Sequence, residues 1–217
     1  IVITITEHHS NLVPWQFVAK TTGATLKYIY LEKDGNLSEE DIETKITEKT
    51  KIVAVTQVSN VLGLKNDVKK IVKKAHSVGA VAVVDGSQSV AHMKVDVRDI
   101  DCDFFALGIG VLWGKMDLLK AMPPMLTGGE MIDSVTEQDA VWAPVPEKFE
   151  AGTQNVGGAA GLTAAIDYIE TITFDRIEAI EKDLVDYALP QLRGSLLVLG
   201  AHDGDLEALL ELRLAAE

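Results

Sequence analysis

Ala80-Val81-Ala82-Val83-Val84-Asp85-Gly86-Ser87-Gln88 is an unbroken apolar run, largely β-branched, that ends in an aspartate, a glycine and two polar side chains. A strand without polar alternation is buried on both faces, as the parallel strands of α/β sheets are. Ligands of open α/β sheets bind just beyond the carboxyl ends of the strands. The stretch therefore predicts a parallel strand over 80–84, with the Asp85 carboxylate where a ligand would sit. A buried charge needs a partner. The nature of that partner decides the function.

Outward from this strand the same unit repeats. Residues 68–78 read as a helix closed by Gly79, the residue that helix C-termini favour. Residues 51–58 before it and 102–107 after it read as strands. Upstream, 1–6 and 25–31 read as strands on either side of an amphipathic segment at 12–22. Asp34-Gly35 is a turn signal. Ser38 reads as the cap of a helix running through Ile42 and Ile46, with Asp41 as its capping-box partner. Strand–helix–strand in repetition predicts an α/β fold: a mostly parallel sheet with helices on both faces.

Further along, 126–135 and 149–158 read as loops, and 159–170 and 174–193 as helices. Residues 194–200 resemble a strand and 205–216 an acidic, Leu-rich helix. This divides the chain into a large domain at 1–170, its N-terminal part missing, and a linking helix with an incomplete C-terminal α/β domain at 171–217.

Composition narrows the function classes. Of 217 residues, 47% are hydrophobic and 24% charged, which is ordinary for a soluble globular protein. No apolar run is long enough to span a bilayer and no signal peptide opens the chain, so no membrane role is expected. A net charge of −13 argues against nucleic acid as a partner. Lys69, Lys70, Lys73 and Lys74 read as the solvated face of one helix. The single cysteine, Cys102, excludes an internal disulfide and suits a reducing, cytoplasmic compartment. Asp101 and Asp103 beside it would raise its thiol pKa, so it reads as structural.

Four polar segments carry chemistry: 6–11, 58–60, 85–88 and 149–155. The first three follow strand ends and converge on one crevice if the sheet is parallel. A nucleotide reading requires Gly-x-x-x-x-Gly-Lys-Ser/Thr. The nearest approach, Gly110 to Gly114-Lys115-Met116, is one residue short and lacks the hydroxyl. A metal reading has Glu7, His8, His9 and Asp85 available. Adjacent histidines on an extended segment point to opposite faces, so no metal site is assigned. An aromatic, nitrogenous, phosphorylated cofactor suits these groups better. An Asp pairs with a protonated pyridine nitrogen, a His stacks on the ring, and Asn or Gln bonds to a ring hydroxyl. Asp85 also reads as a turn former before glycine, Asn60 as a cap on the chain after its strand, and Gly152-Thr153 as a turn pair.

Five motifs in order carry a resemblance: Glu-His-His-Ser-Asn-Leu-Val-Pro-Trp at 7–15, Val-Ser-Asn-Val-Leu-Gly at 58–63, Val-Asp-Gly-Ser-Gln-Ser at 84–89, Met-Lys-Val-Asp-Val at 93–97 and Phe-Glu-Ala-Gly-Thr at 149–153. Over residues 1–193 the chain resembles the SufS-type cysteine desulfurases, of the class V aminotransferase group on the fold-type I scaffold. The resemblance implies that 1–170 binds pyridoxal 5'-phosphate. It implies that His8 stacks on the ring and moves protons, that Asp85 holds the ring nitrogen protonated, and that Gln88 and Asn60 bond to the phenolic oxygen. Thr153 would reach the cofactor phosphate of a neighbouring subunit in a homodimer. The implied reaction turns L-cysteine into L-alanine and an enzyme persulfide, which a sulfur-acceptor protein carries to iron–sulfur cluster assembly. Two other readings accompany it: a selenocysteine lyase or other class V enzyme, and a catalytically inactive cofactor-binding or interaction module.

The departures from the family pattern are specific. The Ser-x-His-Lys segment bearing the Schiff-base lysine would fall between Leu107 and Gly108 and is absent. Residues 102–114 there read as two strand-like runs joined with no turn chemistry beyond Gly108 and Gly110, which predicts a compromised joint. Lys115 follows that joint and is not the Schiff-base lysine. The small-residue phosphate loop, the C-terminal arginine and the Arg-x-Gly-His-His-Cys loop with the nucleophile are also absent.

Overall fold

The computed structural model describes residues 1–198. Six strands form one sheet: β1 Val2–Thr4, β2 Lys27–Ile29, β3 Ile52–Thr56, β4 Val81–Asp85, β5 Phe104–Leu107 and β6 Val111–Gly114. Their order is β2-β1-β3-β4-β5-β6, with the first five parallel and β6 antiparallel to β5. Helices α1 His9–Thr22, α2 Glu39–Lys45, α3 Val68–Ser77 and α4 Val97–Ile100 make the crossovers. After the sheet come α5 Met116–Ala121, a hairpin of β7 Ile132–Val135 and β8 Ala140–Trp142, α6 Val156–Ile172 and α7 Phe174–Val198. Among the described residues no helix is long and apolar enough to cross a membrane.

Strand order fixes where a ligand can sit. The β1–β2 crossover steps one way across the sheet, and the next three step the other way. Right-handed crossovers then place α1 on one face and α2, α3 and α4 on the other. The reversal makes the carboxyl ends of β1 and β3 the topological switch point.

The core fills the face of α2 to α4. Val68, Ile71, Val72 and Ala75 recur at helical spacing on α3 and are buried against Val53, Val55, Ala82 and Val84. Asp67 caps α3 by accepting the Lys70 N–H at 3.2 Å, and Gly79 leaves it at φ 74°. On β4, Ala82 and Val84 are buried while Val81 and Val83 are half-buried. The two-sided burial expected of 80–84 is therefore met on one face only. The described helices cover the second face less completely, with α1 packing on β3.

Local readings differ in four further places. Ser38 caps α2, but Asp41 does not return the bond to it. The Ser38 N–H already donates to Tyr30 O, and the Asp41 carboxylate instead accepts the Tyr30 N–H at 2.8 Å and pairs with Lys45. Part of 126–135 is strand, because Thr136 folds the following turn by accepting the Gln138 and Asp139 N–H groups on its hydroxyl. Helix α6 begins within the segment read as loop, where Asn155 accepts the Gly158 N–H at 3.0 Å. Residues 194–198 continue α7 and are not strand, while the helix expected at 205–216 lies outside the described residues.

The joint after Leu107 is closed. Residues 108–110 form a tight turn, and Leu107 pairs with Val111 in an antiparallel ladder. Gly110 at φ 84° and Ile109 at φ 69° supply the reversal that the sequence reading found missing.

Candidate active site

The carboxyl ends of β1, β3 and β4 lie side by side and open on one cleft of about 200 Å³. His8 and Ser10 line it after β1, Thr56 and Asn60 at and after the end of β3, and Asp85, Ser87 and Gln88 at and after the end of β4. Four of the five residues expected to bind the cofactor are thus brought together. Thr153 is not among the lining residues; it is exposed on the 150–155 turn, where Gly152 bonds back to Gly129 O.

The site's polar atoms are largely uncommitted. Asp85 closes a turn, its Oδ1 accepting the Ser87 N–H at 2.9 Å. Among the described residues its Oδ2 has no hydrogen-bond donor, so turn formation uses half of the carboxylate. Asn60 does not cap the chain after β3. Ser59 does so, its hydroxyl accepting the Val61 and Leu62 N–H groups at 3.3 and 3.2 Å. The Asn60 and Gln88 carboxamides are exposed.

His8 caps α1 with its own ring. Nδ1 accepts the Ser10 N–H at 3.2 Å and lies 2.5 Å from the Ser10 hydroxyl. An amide N–H can only donate, so Nδ1 is the acceptor and the neutral ring carries its proton on Nε2. The cap also fixes the orientation of the ring.

Thr56 lines this cleft, Glu7 lies buried against it and accepts its N–H, and neither is among the residues the sequence assigns to the cofactor. Glu7 is 7% exposed, and burial pushes its carboxyl up to about 7. The signal that could have found it is a charged residue three positions beyond a buried strand, at the reversal of strand order. Thr56 has its hydroxyl on Val58 O at 2.9 Å, which bends the chain out of β3 toward Asn60.

Among the described residues no lysine lines the cleft. Lys115 lies at the other end of β5, where Nζ pairs with Asp101 and Asp103, each at 2.9 Å. Cys102 beside them is fully buried, and burial, with Asp103 acting the same way, pushes its thiol up to about 11. A thiol held there is not a nucleophile.

The donor set suits an aromatic nitrogen base bearing a hydroxyl. It offers one carboxylate with a free oxygen for a ring N–H⁺, two carboxamides for a ring oxygen, and an imidazole of fixed orientation. Among the described residues no lysine or arginine lines the cleft to meet a phosphate.

Comparison with known proteins agrees with this arrangement. The model of the class V aminotransferase family matches residues 1–203. A probable cysteine desulfurase of Halalkalibacterium halodurans is 54% identical over 201 residues, covering 88% of this chain and 50% of that protein. The crystal structure of the cysteine desulfurase CsdA (S-sulfonic acid) from Escherichia coli superposes with a TM-score of 0.84 at 37% identity, over 88% of this chain and 50% of that one. The apo cysteine desulfurase of Thermococcus onnurineus NA1 gives 0.80 at 41%, over 89% and 51%. The chain spans about half the length of the curated relatives it matches. With its mostly parallel sheet, its cleft at the switch point and a family match over most of its length, the chain belongs to the class V aminotransferases.

Proposed function

We propose that the cleft binds pyridoxal 5'-phosphate and that the chain is the cofactor-binding part of a SufS-type cysteine desulfurase. Class V aminotransferases are pyridoxal-phosphate enzymes. The observation that carries the reading is the meeting of His8, Asn60, Asp85 and Gln88 in one cleft at the switch point. The relatives named as cysteine desulfurases support the substrate, L-cysteine.

Bound there, the cofactor supplies an electron sink beside the α-carbon of the substrate. Asp85 opposes loss of the pyridine proton, because a carboxylate favours a charged partner. Asn60 and Gln88 orient the ring through its oxygen. His8 covers the ring face, and with Nδ1 held by Ser10 it handles protons through Nε2. Thr153 serves a neighbouring subunit of a homodimer, from outside its own cleft. A cysteine thiolate of that desulfurase, other than the buried Cys102, would attack the substrate sulfur. The carbon–sulfur bond breaks and the carbon takes a proton, giving L-alanine and an enzyme persulfide, which passes to a sulfur-acceptor protein for iron–sulfur cluster assembly in the cytoplasm.

A second reading has its own observation. No lysine lines the cleft among the described residues, and this favours a chain that binds the cofactor without a covalent link and does not turn over alone. One experiment addresses both. The chain is titrated with pyridoxal phosphate by equilibrium dialysis and absorption, then reduced with borohydride and mapped. Saturable binding without a pyridoxyl-lysine supports the second reading for the isolated chain, and an adduct at one lysine overturns it. Asp85→Asn is expected to change affinity by less than about tenfold yet alter the pH response of the bound cofactor's absorption. Absence of saturable binding by the unmodified chain, or an unaltered response in the variant, defeats the cofactor reading.

A further inference from the structure

Glu7 follows β1 at the switch point and is almost wholly buried. Its Oε1 accepts the Thr56 N–H at 2.8 Å and the Thr4 hydroxyl at 2.5 Å, and its Oε2 accepts the Asn11 carboxamide at 2.5 Å. Asn11 in turn accepts the Trp15 indole N–H on Oδ1 at 2.9 Å. Bond direction is set by the ends of this chain. The indole N–H and the Thr56 amide can only donate, so Asn11 must present its NH₂ to Glu7. Three donors therefore converge on one side chain, which is the pattern a carboxylate satisfies and a carboxamide does not.

The same carboxylate joins three elements. β1 and β3 pair through Val2↔Val53 and Ile3↔Ala54 and then separate. Beyond that point Glu7 takes the Thr56 N–H that a neighbouring strand would otherwise receive. Through Asn11 it also holds the first turn of α1. The next residue in the chain is His8.

We infer that Glu7 is a positioning residue: its carboxylate ties the turn that carries His8 to the edge of β3, and so sets where the His8 ring stands in the cleft. The inference rests on the cofactor reading only for the task it gives His8, and its test needs no cofactor. Burial raises the Glu7 carboxyl into the neutral range against the lowering by its three donors, and Asp85 of β4 adds a smaller push the same way. β3 and α1 present it with the neutral Thr56 amide and Asn11 carboxamide. Glu7 therefore changes charge where the chain is folded, and the coupling to His8 is measurable.

The experiment follows backbone amide resonances by NMR in the full chain between about pH 5.5 and 8.5, on either side of the Glu7 midpoint. The Thr56 amide proton should titrate with the Glu7 carboxyl, and the His8 amide should carry a component with the same midpoint. In Glu7→Gln, which keeps the volume and an acceptor for Thr56, that component should vanish from both. Asn11→Ala removes one donor and should raise the midpoint of Thr56 and His8 together. Circular dichroism reports whether Glu7→Gln folds; if it does not, the comparison of Asn11→Ala with the unmodified chain decides. A His8 amide that ignores the Thr56 midpoint, or stays put when Asn11→Ala moves it, overturns the inference. Failure of the unmodified chain to bind pyridoxal phosphate would end the cofactor reading and leave this result standing.

Discussion

The Phe105 ring stands where a side chain at position 86 would go: a Cβ on Gly86 would lie 1.8 Å from Phe105 Cζ. Phe105 is 2% exposed and sits on β5 in register with Val84. The absent side chain at 86 lets this ring close the core directly behind the Asp85 turn. The glycine after the strand is thus a packing requirement as well as turn chemistry.

Gly86→Ala is accordingly expected to destabilise the chain by about 1–3 kcal/mol, the usual cost of overpacking a filled core. Urea unfolding measures it. In a Phe105→Leu background the cost should shrink, because the ring that meets the new methyl is gone. An equal cost in both backgrounds would locate the strain elsewhere.

At the opposite end of the sheet the carboxylate of Asp103 serves stability. It accepts the Ala82 N–H at 2.7 Å and pairs with His76 and Lys115 at 2.9 Å each. Burial pushes its carboxyl up, but the Ala82 N–H, Lys115 and His76 outweigh burial and hold it below the ordinary carboxylate range. A depressed folded-state pKa contributes stability that is full above the unfolded value and is lost as pH falls through the folded one. Asp103→Asn should therefore cost about 2 kcal/mol at pH 7, and the gap to the unmodified chain should narrow in acid. Urea midpoints at pH 7 and near pH 3 check this; a gap that widens in acid refutes it.

The sheet was legible because β3 and β4 are unbroken apolar runs, α3 keeps one helical period over its length, and Gly79 marks the end of α3. The cleft was legible because Asn60, Asp85 and Gln88 fall at or just after strand ends, where strand order alone brings them together. The unread parts depend on distant neighbours. Whether Asp41 completes a capping box is decided by Tyr30, which already holds the Ser38 N–H. The half-buried face of β4 depends on what packs over it, which the run at 80–84 does not encode. The role of Glu7 rests on Thr56, 49 positions away in the chain.

Ile109 is where local preference and chain path conflict most directly. It sits at φ 69°, ψ 0° in the turn between β5 and β6, and its side chain is 51% exposed. A β-branched residue in the left-handed region carries strain of about 1–3 kcal/mol. Glycine enters that region freely, at a backbone-entropy cost of about 0.5–1 kcal/mol. With half the side chain already in water, little burial is lost on removing it. Ile109→Gly should therefore stabilise the chain by about 1 kcal/mol, seen as a higher urea midpoint at unchanged slope. Gly110, at φ 84° in the same turn, supplies the opposite sign: Gly110→Ala should destabilise by about 1 kcal/mol or more. A looser turn would make both substitutions neutral, so opposite signs at adjacent positions are the result that only this tight closure of the Leu107–Gly108 joint produces.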